Sequence, residues 1–457
     1  MRRYLLGIFS IALVSACSDS STEITNGPIA TATLDQQEEF EDFSANFSSD
    51  GSKGTFISQR DDGLAHVYLY DASLPTSKLS RLDDKLLLTP GEGKEYLNAI
   101  SPSGNWVAMS RVLIATGLNQ LMVASFVGAG NAKLELPAGT SLNELTFAQG
   151  SDDYLAYVER SGTSRTTKVV QLSGDATAVT LTEIGSFPNQ EKPQLLFLDG
   201  KLQLITLGTS DPLSQPVTLN VFVPGVSGFT PSPVAIPAQS SGVAARPFFA
   251  SRAGLFTVEP LSPNRTRKQN GPAPSVGTPE GPTVAILETI KQTDLFQANL
   301  SYNWSAEPYL TQEPLTIAAV SGSLEGEYLL VSGLDVYACA TSTLQVATQK
   351  LIRRSDSKVI TFILGRKAAE TAWTEVITNP CGILDNSIDG VARQYDSTAI
   401  RSEWVGMDGE FAVVAVESFV TGDREIRLAR FKMNWDAGTV SDATILDVSA
   451  NARPLLR

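Results

Sequence analysis

Three cysteines and a single histidine are the residues of this chain that offer the strongest metal-binding or nucleophilic chemistry. They are Cys17, Cys339, Cys381 and His66. A structural zinc site takes four Cys or His ligands, so one here would need all four of these residues, and any Ser-His-Asp triad must use His66. His66 alternates with apolar residues in the run AHVYLY, as a strand residue does. The sequence therefore argues against a zinc centre and against triad catalysis.

Carboxylates are the remaining candidates for chemistry, and the 457 residues contain 49 of them. Asp61-Asp62-Gly63 lacks the alternating acidic ligands of a calcium loop, and Asp83-Asp84 and Asp152-Asp153 lie in short polar segments typical of turns. No Gly-x-Ser-x-Gly elbow, phosphate-binding loop or Rossmann fingerprint occurs. We therefore predict no catalytic residue, no metal ligand and no cofactor, while paired carboxylates at the centre of a folded ring stay open as an alternative.

The N-terminus has the pattern of an export signal. Arg2 and Arg3 precede an apolar run from Tyr4 to Val14, which is too short to span a bilayer. The residues Leu13-Val14-Ser15-Ala16-Cys17 then resemble the lipobox of bacterial lipoprotein precursors. That resemblance implies a signal peptide over 1–16 and acylation of Cys17, and Ser18 implies export to the outer membrane, on a side that is not specified. The alternative is an ordinary secretory signal in which Cys17 is incidental.

Cys339 and Cys381 are the two cysteines that remain after Cys17. An exported compartment is oxidising enough for disulfides to persist, so we predict that they pair. The alternative is two separate buried thiols, because Cys339 follows the apolar run Val336-Tyr337-Ala338.

An acidic segment follows the signal. Residues 18–50 contain eight acids and no lysine or arginine, which predicts an extended tether over 17–45. The whole chain has a formal net charge of −14, which disfavours nucleic acid as a partner.

Short β-rich runs separated by turn residues dominate the rest of the chain. They recur as seven units, at residues 47–71, 99–125, 145–172, 195–223, 247–290, 317–339 and 403–432. Each unit needs neighbours to cover its faces, which favours radial repetition. We predict an all-β fold, a β-propeller of seven blades, with six or eight left open.

One unit, Ser-Pro-Ser-Gly-Asn-Trp-Val-Ala-Met-Ser at 101–110, resembles the SPDGxxIAF core of the TolB-type, WD40-like propeller repeat. Ser103 replaces the aspartate of that repeat, and several other units lack the proline. The resemblance implies a Pro/Gly turn between two strands of each blade and a propeller over residues 46–457.

Three further expectations concern individual segments. Trp106 and Trp404 are predicted to be core residues between blades, whereas Trp304, in a more polar stretch, is the candidate exposed contact. Residues 351–377 belong either to the outer half of the sixth blade or to an eighth. Residues at the end of the tether are expected to pair with the C-terminal blade.

These features together predict a lipid-anchored cell-envelope propeller that acts as a protein-binding or assembly scaffold, with an envelope protein as its partner. One alternative is a glycoside hydrolase or lyase with carboxylates in the propeller funnel. Another is a surface carbohydrate-binding or adhesive module without turnover, for which Trp304 would be the contact.

Overall fold

A computed structural model of the protein describes residues 42–60, 63–74, 79–89, 91–208, 218–225, 234–235, 248–259, 285–291, 305–310, 316–338, 343–367, 375–376, 395–420 and 423–448. Cys17, Trp304, Cys339 and Cys381 lie outside these residues, so acylation, the exposed contact and the disulfide stay predictions. The described residues are almost all strand and turn, and the helix among them, α1, is Leu82–Lys85. None of their helices has the length and hydrophobicity needed to cross a bilayer.

The described strands form six four-stranded antiparallel sheets and a seventh sheet of six strands. Sheet 1 contains β1 (Asp42–Phe47), β2 (Lys53–Ser58), β3 (His66–Asp71) and β4 (Leu79–Arg81). Sheet 2 contains β5 (Gly93–Ile100), β6 (Trp106–Leu113), β7 (Asn119–Ser125) and β8 (Asn131–Glu135). Sheet 3 contains β9 (Thr140–Phe147), β10 (Tyr154–Ser161), β11 (Ser164–Asp175) and β12 (Ala178–Pro188). Sheet 4 contains β13 (Gln190–Leu198), β14 (Lys201–Gly208), β15 (Thr218–Phe222) and β16 (Val234–Ala235).

The second half of the chain continues the same pattern. Sheet 5 contains β17 (Phe248–Ser251), β18 (Gly254–Glu259), β19 (Ala285–Lys291) and β20 (Ser305–Leu310). Sheet 6 contains β21 (Thr316–Gly322), β22 (Tyr328–Ala338), β23 (Thr343–Arg353) and β24 (Lys358–Phe362). Sheet 7 contains β25 (Leu364–Lys367), β26 (Glu375–Val376), β27 (Tyr395–Asp408), β28 (Phe411–Val420), β29 (Asp423–Asn434) and β30 (Thr439–Asp447), with β25 between β26 and β27.

The sheets are the blades of a β-propeller. Each of the seven predicted units falls in a different sheet. We call the first strand of each unit its inner strand; these are β1, β5, β9, β13, β17, β21 and β27. From β1 to β21, each inner strand packs against the next sheet in chain order. The ring closes where β1 packs against β28 and β29 of sheet 7. The all-β class, the propeller and the predicted range of blade number are confirmed.

The turn between the first two strands of each propeller unit is the feature that the sequence repeat encodes. Seven glycines adopt a positive φ there: Gly51, Gly104, Gly150, Gly200, Gly254, Gly326 and Gly409. In three turns a serine hydroxyl accepts the backbone N–H five residues later; these pairs are Ser48–Lys53, Ser101–Trp106 and Ser323–Tyr328, at 3.0 to 3.1 Å. The motif therefore closes a turn in which one residue has a left-handed backbone conformation, and glycine adopts that conformation at little cost.

The propeller has two faces, which we name by where the first strand of each unit begins and ends. The upper face carries the glycine turns, and the backbone N–H of Ser49 in one turn donates to Pro102 O in the next at 2.8 Å. The lower face is the side on which the inner strands begin. Asp42 and His66 both pair with Ser58 there, and Glu95 N donates to Ala65 O at 2.9 Å.

The cores lie between neighbouring sheets. Trp106 of sheet 2 is buried with Leu142 and Tyr157 of sheet 3, as predicted. Trp404 of sheet 7 is partly buried and stacks on Tyr328 of sheet 6 with ring centroids 5.5 Å apart. Apolar side chains on both faces of each sheet thus hold the ring together.

Two sequence expectations need correction. The start of the folded chain does not pair with the C-terminal sheet: β1 hydrogen-bonds to β2 and meets β28 and β29 through side-chain packing. Asp83 and Asp84 lie in α1 rather than in a turn, because Leu82 anchors this segment in the core between sheets 1 and 2. The segment 351–377 is now assigned, since β24 completes sheet 6 whereas β25 and β26 join sheet 7.

Candidate functional site

A buried cluster of ionisable side chains lies at the junction of sheets 1 and 2. His66 is the first residue of β3, Asp83 belongs to α1, and Glu95 lies near the start of β5, all at most 4% exposed. His66 Nδ1 is 3.0 Å from Asp83 Oδ2 and 3.3 Å from Glu95 Oε2. Burying such groups is costly unless they are paired, so each must be satisfied within the protein.

Two arginines balance the charge of this cluster. Arg81 Nε donates to Asp83 Oδ1 at 2.9 Å, and Arg81 Nη2 lies 3.0 Å from His66 Nδ1. Arg111 Nε lies 3.7 Å from Glu95 Oε1, and Val67 N donates to Glu95 Oε2 at 3.0 Å. Burial raises the pKa of Asp83, but its hydrogen bonds to His66 and Arg81 outweigh burial and hold that pKa well below its usual range.

The same three side chains form a geometric candidate for a metal centre. Their donor atoms lie within 4.8 Å of one another, and one imidazole with two carboxylates suits zinc, manganese or iron. However, Arg81 contacts both His66 and Asp83, the donors that a metal would use. A cation would have to displace this guanidinium, so the arrangement fits an ion network that joins two sheets better than a resident metal.

A second set of polar side chains joins the inner strands of neighbouring sheets. Each of these side chains lies on one inner strand and hydrogen-bonds to the inner strand of the next sheet. We call this set the inner clasps. The pairs are Asn46–Asn98, Tyr96–Leu142, Glu144–Lys192, Gln194–Ala250 and Ser321–Trp404. In four of them the side chain accepts a backbone N–H of the next strand, and in the other Asn46 Nδ2 donates to Asn98 Oδ1 at 2.8 Å.

Glu144 is the carboxylic acid among these clasps. Burial raises its pKa to about 7, the charge of nearby Glu191 adds to that shift, and the backbone N–H of Lys192 opposes it. Glu191 itself pairs with Arg165. A carboxyl group whose pKa lies near neutral pH is a recognised candidate for a general acid.

A cleft opens between sheets 3 and 4 on the upper face. Its volume is about 580 Å³, within the size range of ligand sites. Tyr154 and Phe197 form one wall, with ring centroids 5.3 Å apart, and Lys201 and Gln171 add polar groups. The glycine turn at Gly200 and the loop residue Gly225 form the rim.

Sequence reasoning identified His66 as a strand residue, either solvent-facing or hydrogen-bonded; the structure buries it, and the sequence did not bring it together with Asp83 and Glu95. The three belong to separate elements: α1 packs on β3 and brings Asp83 to His66, whereas Glu95 reaches His66 from β5 of sheet 2. Glu144 carried no signal either, because it is one of 49 acids and no local motif surrounds it. The cleft residues likewise come from two different repeat units.

Neither a protein family model nor a curated protein matches the chain. Among solved structures, the β-propeller domain of the Trilobed protease from Pyrococcus furiosus is similar, with a TM-score of 0.47 and 10% identity over 90% of this chain and 99% of that chain. An oligogalacturonate lyase from Vibrio parahaemolyticus gives a TM-score of 0.45 and 13% identity over 82% and 85%. A prolyl endopeptidase gives 0.46 and 12% over 90% of this chain and 49% of that chain, so this chain spans about half its length. The likeness to all three concerns the propeller fold alone.

Proposed function

We propose that this protein is a lipid-anchored scaffold of the bacterial cell envelope whose propeller binds a protein partner. Cys17 would carry the acyl chains in the outer membrane, and the acidic segment that follows it would hold the propeller away from the lipid surface. The spacer is shorter than the predicted tether over 17–45, because β1 already begins at Asp42. The observation that carries the binding role is the cleft between sheets 3 and 4 on the upper face.

The upper face suits recognition because its turns brace one another. Ser103 N donates to Asp152 Oδ1 at 3.0 Å, which links the turns of sheets 2 and 3. Arg252 bonds both carboxylate oxygens of Asp199 at 2.9 Å and donates its backbone N–H to Leu324 O at 2.7 Å, linking sheets 4, 5 and 6. A rim held in this way loses little conformational entropy when a partner binds.

The lining of the cleft suits a peptide segment with an apolar side chain. Tyr154, Phe197, Leu202 and Pro224 supply apolar surface, and aromatic walls contribute strongly to protein interfaces. Lys201 and Gln171 at its edge would orient a polar backbone or an acidic group.

Site-specific photo-crosslinking in intact envelopes tests this proposal. A photoreactive amino acid would replace the exposed Lys201 at the cleft, with the exposed Lys94 on the lower face as the matched control. We expect a discrete protein adduct from position 201 that is absent from position 94 and is lost when Tyr154→Ala is added. Equal adducts from both positions, or none from 201, would contradict the proposal.

A second candidate function is that of a glycoside hydrolase or lyase, and the raised pKa of Glu144 supports it. Incubation of the purified protein with a panel of neutral and acidic oligosaccharides tests this candidate. Turnover that depends on pH near 7 and disappears in Glu144→Gln would favour the enzyme, whereas no product from any substrate in either protein would count against it.

A further inference from the structure

Two lysine side chains converge on one phenylalanine where sheets 1 and 2 meet at the upper face. Lys53 Nζ lies 5.0 Å from the ring centroid of Phe126 and donates to Gly104 O at 3.1 Å. Lys85 Nζ lies 5.8 Å from the same centroid and donates to Phe126 O. Both lysine side chains are half-buried, and Phe126 is buried. Each ammonium group is therefore held by a backbone carbonyl and by the same aromatic ring.

Neither ammonium group forms an ion pair with a carboxylate in the part of the chain that the structure describes. This is unusual for a chain with 49 acids and 35 bases. Other described lysines lie 2.5 to 3.0 Å from a carboxylate oxygen; these include Lys133, Lys168, Lys358 and Lys432.

The two lysines also act on each other. Burial lowers the pKa of Lys85, and the charge of Lys53 lowers that pKa further. Holding two like charges close together in a half-buried place costs stability, and such a cost is typical of functional sites. A ligand of negative charge would remove it.

The donors that remain on the two lysines match a phosphate group. A lysine ammonium group has three N–H donors, and a carbonyl oxygen takes one of them in each of these lysines. Two donors therefore remain on each lysine, together with two positive charges. A phosphate monoester has a charge of about −1.5 to −2 at pH 7 and three strong acceptor oxygens. A carboxylate offers one negative charge and two oxygens, so phosphate fits the pair better.

We propose that Lys53 and Lys85 form a binding site for a phosphate group, which is either free inorganic phosphate or the phosphate of a larger molecule. The bound group would bridge the two ammonium groups above Phe126. This site lies between sheets 1 and 2, apart from the cleft between sheets 3 and 4, and it does not depend on acylation of Cys17. The upper face would then combine an apolar cleft with an anchor for phosphate.

Equilibrium dialysis of the full-length protein against radiolabelled inorganic phosphate tests the site. The buffer would contain about 0.15 M sodium chloride, which screens non-specific attraction between exposed charges. The test variant is Lys53→Met with Lys85→Met, which removes both charges and keeps similar side-chain lengths. The matched control is Lys358→Met with Lys432→Met, because these lysines lie at the upper ends of their sheets but have carboxylate partners.

We expect saturable binding of phosphate to the wild type, equal binding to the control variant, and binding at least about tenfold weaker in the test variant, because charge-assisted hydrogen bonds are lost. Competition with glycerol 3-phosphate separates the two sources. It should displace the label if the ligand is the phosphate of a larger molecule, and only inorganic phosphate should do so if the ligand is free. No saturable binding to the wild type, or equal binding to the folded test variant, would overturn the proposal.

A second measurement needs no variant. Phosphate should slow the reaction of Lys53 and Lys85 with an amine-modifying reagent several-fold, and mass spectrometry of the peptides measures this. Lys94 is the internal control, because it is exposed on the lower face. Unchanged rates at Lys53 and Lys85 at high phosphate concentration would also refute the site. Either failure leaves the proposed partner of the cleft intact, since crosslinking from position 201 tests that partner separately.

Discussion

Glu144 shows how one side chain can serve as a structural link and also respond to pH. Its equivalents among the inner clasps are the neutral side chains of Asn46, Tyr96, Gln194 and Ser321. An amide at position 144 could accept the Lys192 N–H as Gln194 accepts that of Ala250. The carboxyl group therefore adds a titration that the link itself does not need.

Replacement Glu144→Gln is expected to remove a pH-dependent loss of stability. The folded pKa of about 7 lies above the ordinary value of 4.5, so the ionised carboxylate is disfavoured in the folded state. Stability is therefore complete below 4.5 and falls as the pH rises through 7. Between pH 4.5 and 8 the wild type should lose about 3 kcal/mol more than the variant. Urea unfolding at several pH values measures this, and parallel pH profiles for the two proteins would contradict it.

The Asp83–Arg81 pair is predicted to act in the opposite direction. The lowered pKa of Asp83 means that its contribution is present above the ordinary value of 3.8 and is lost as the pH falls through the folded value. Asp83→Asn at pH 7 removes the carboxylate that accepts the Arg81 hydrogen bonds and leaves the more distant Asp84 Oδ2, 3.8 Å from Arg81 Nε, so it should cost about 2–4 kcal/mol. The double variant Arg81→Met with Asp83→Asn should recover part of this loss. Equal stability of the single variant and the wild type in urea would refute the role.

At the scale of elements, the glycine turns are what the sequence predicted best. Ser101-Pro102-Ser103-Gly104 identified the turn between β5 and β6, because a left-handed residue and a serine acceptor leave a local signature. The sequence did not predict α1, because a helix of four residues is too short to show a helical periodicity. Leu82, which is buried in the core, holds it in place. The sequence also did not assign β25 and β26 to sheet 7, because β25 pairs with β27, which begins at Tyr395, and β26 pairs with β25.

Gly104 and Gly117 form a matched pair for testing what a turn contributes to the ring. Their φ angles are +70° and +68°. A Cβ at Gly104 would lie 2.7 Å from Lys53 Cδ of sheet 1, whereas a Cβ at Gly117 would meet nothing within 4 Å. Gly117→Ala should therefore cost about 1 kcal/mol from backbone strain alone. Gly104→Ala should cost about 2 kcal/mol, because Lys53 Cβ at 3.2 Å and Ser48 Cβ at 3.3 Å must also give way, whereas Lys53 Cδ can swing aside. Similar losses for both variants in urea would contradict this reading.

At the scale of the whole molecule, the sequence predicted the propeller and its seven units but not how the ring closes. Sheet 1 is built from N-terminal strands and sheet 7 from C-terminal strands, without an exchanged strand among the described residues. Closure instead uses side-chain packing and the close approach of Gly406 to Ser49 O. Such packing depends on pairs of distant residues, so no local pattern could reveal it.

Gly406→Ala is expected to weaken this closure. A Cβ there would lie 2.0 Å from Ser49 O, so the backbones of sheets 7 and 1 would have to separate. The loss should be about 2–4 kcal/mol, measured by urea unfolding. Gly409→Ala is the control, because a Cβ there would meet nothing within 4 Å and only its positive φ of +60° would be strained. A Gly406→Ala protein as stable as the Gly409→Ala protein would show that the contact does not close the ring.

We propose that the propeller is held at a membrane by Cys17 and presents its upper face to a partner. Mass spectrometry of the N-terminal peptide from the membrane fraction of the expressing bacterium tests the anchor most directly. We predict a mature chain that begins at Cys17, carries acyl chains on that residue, and moves to the soluble fraction as Cys17→Ser. A soluble wild-type chain with an unmodified Cys17, or a Cys17→Ser variant that fractionates as the wild type does, would contradict the account.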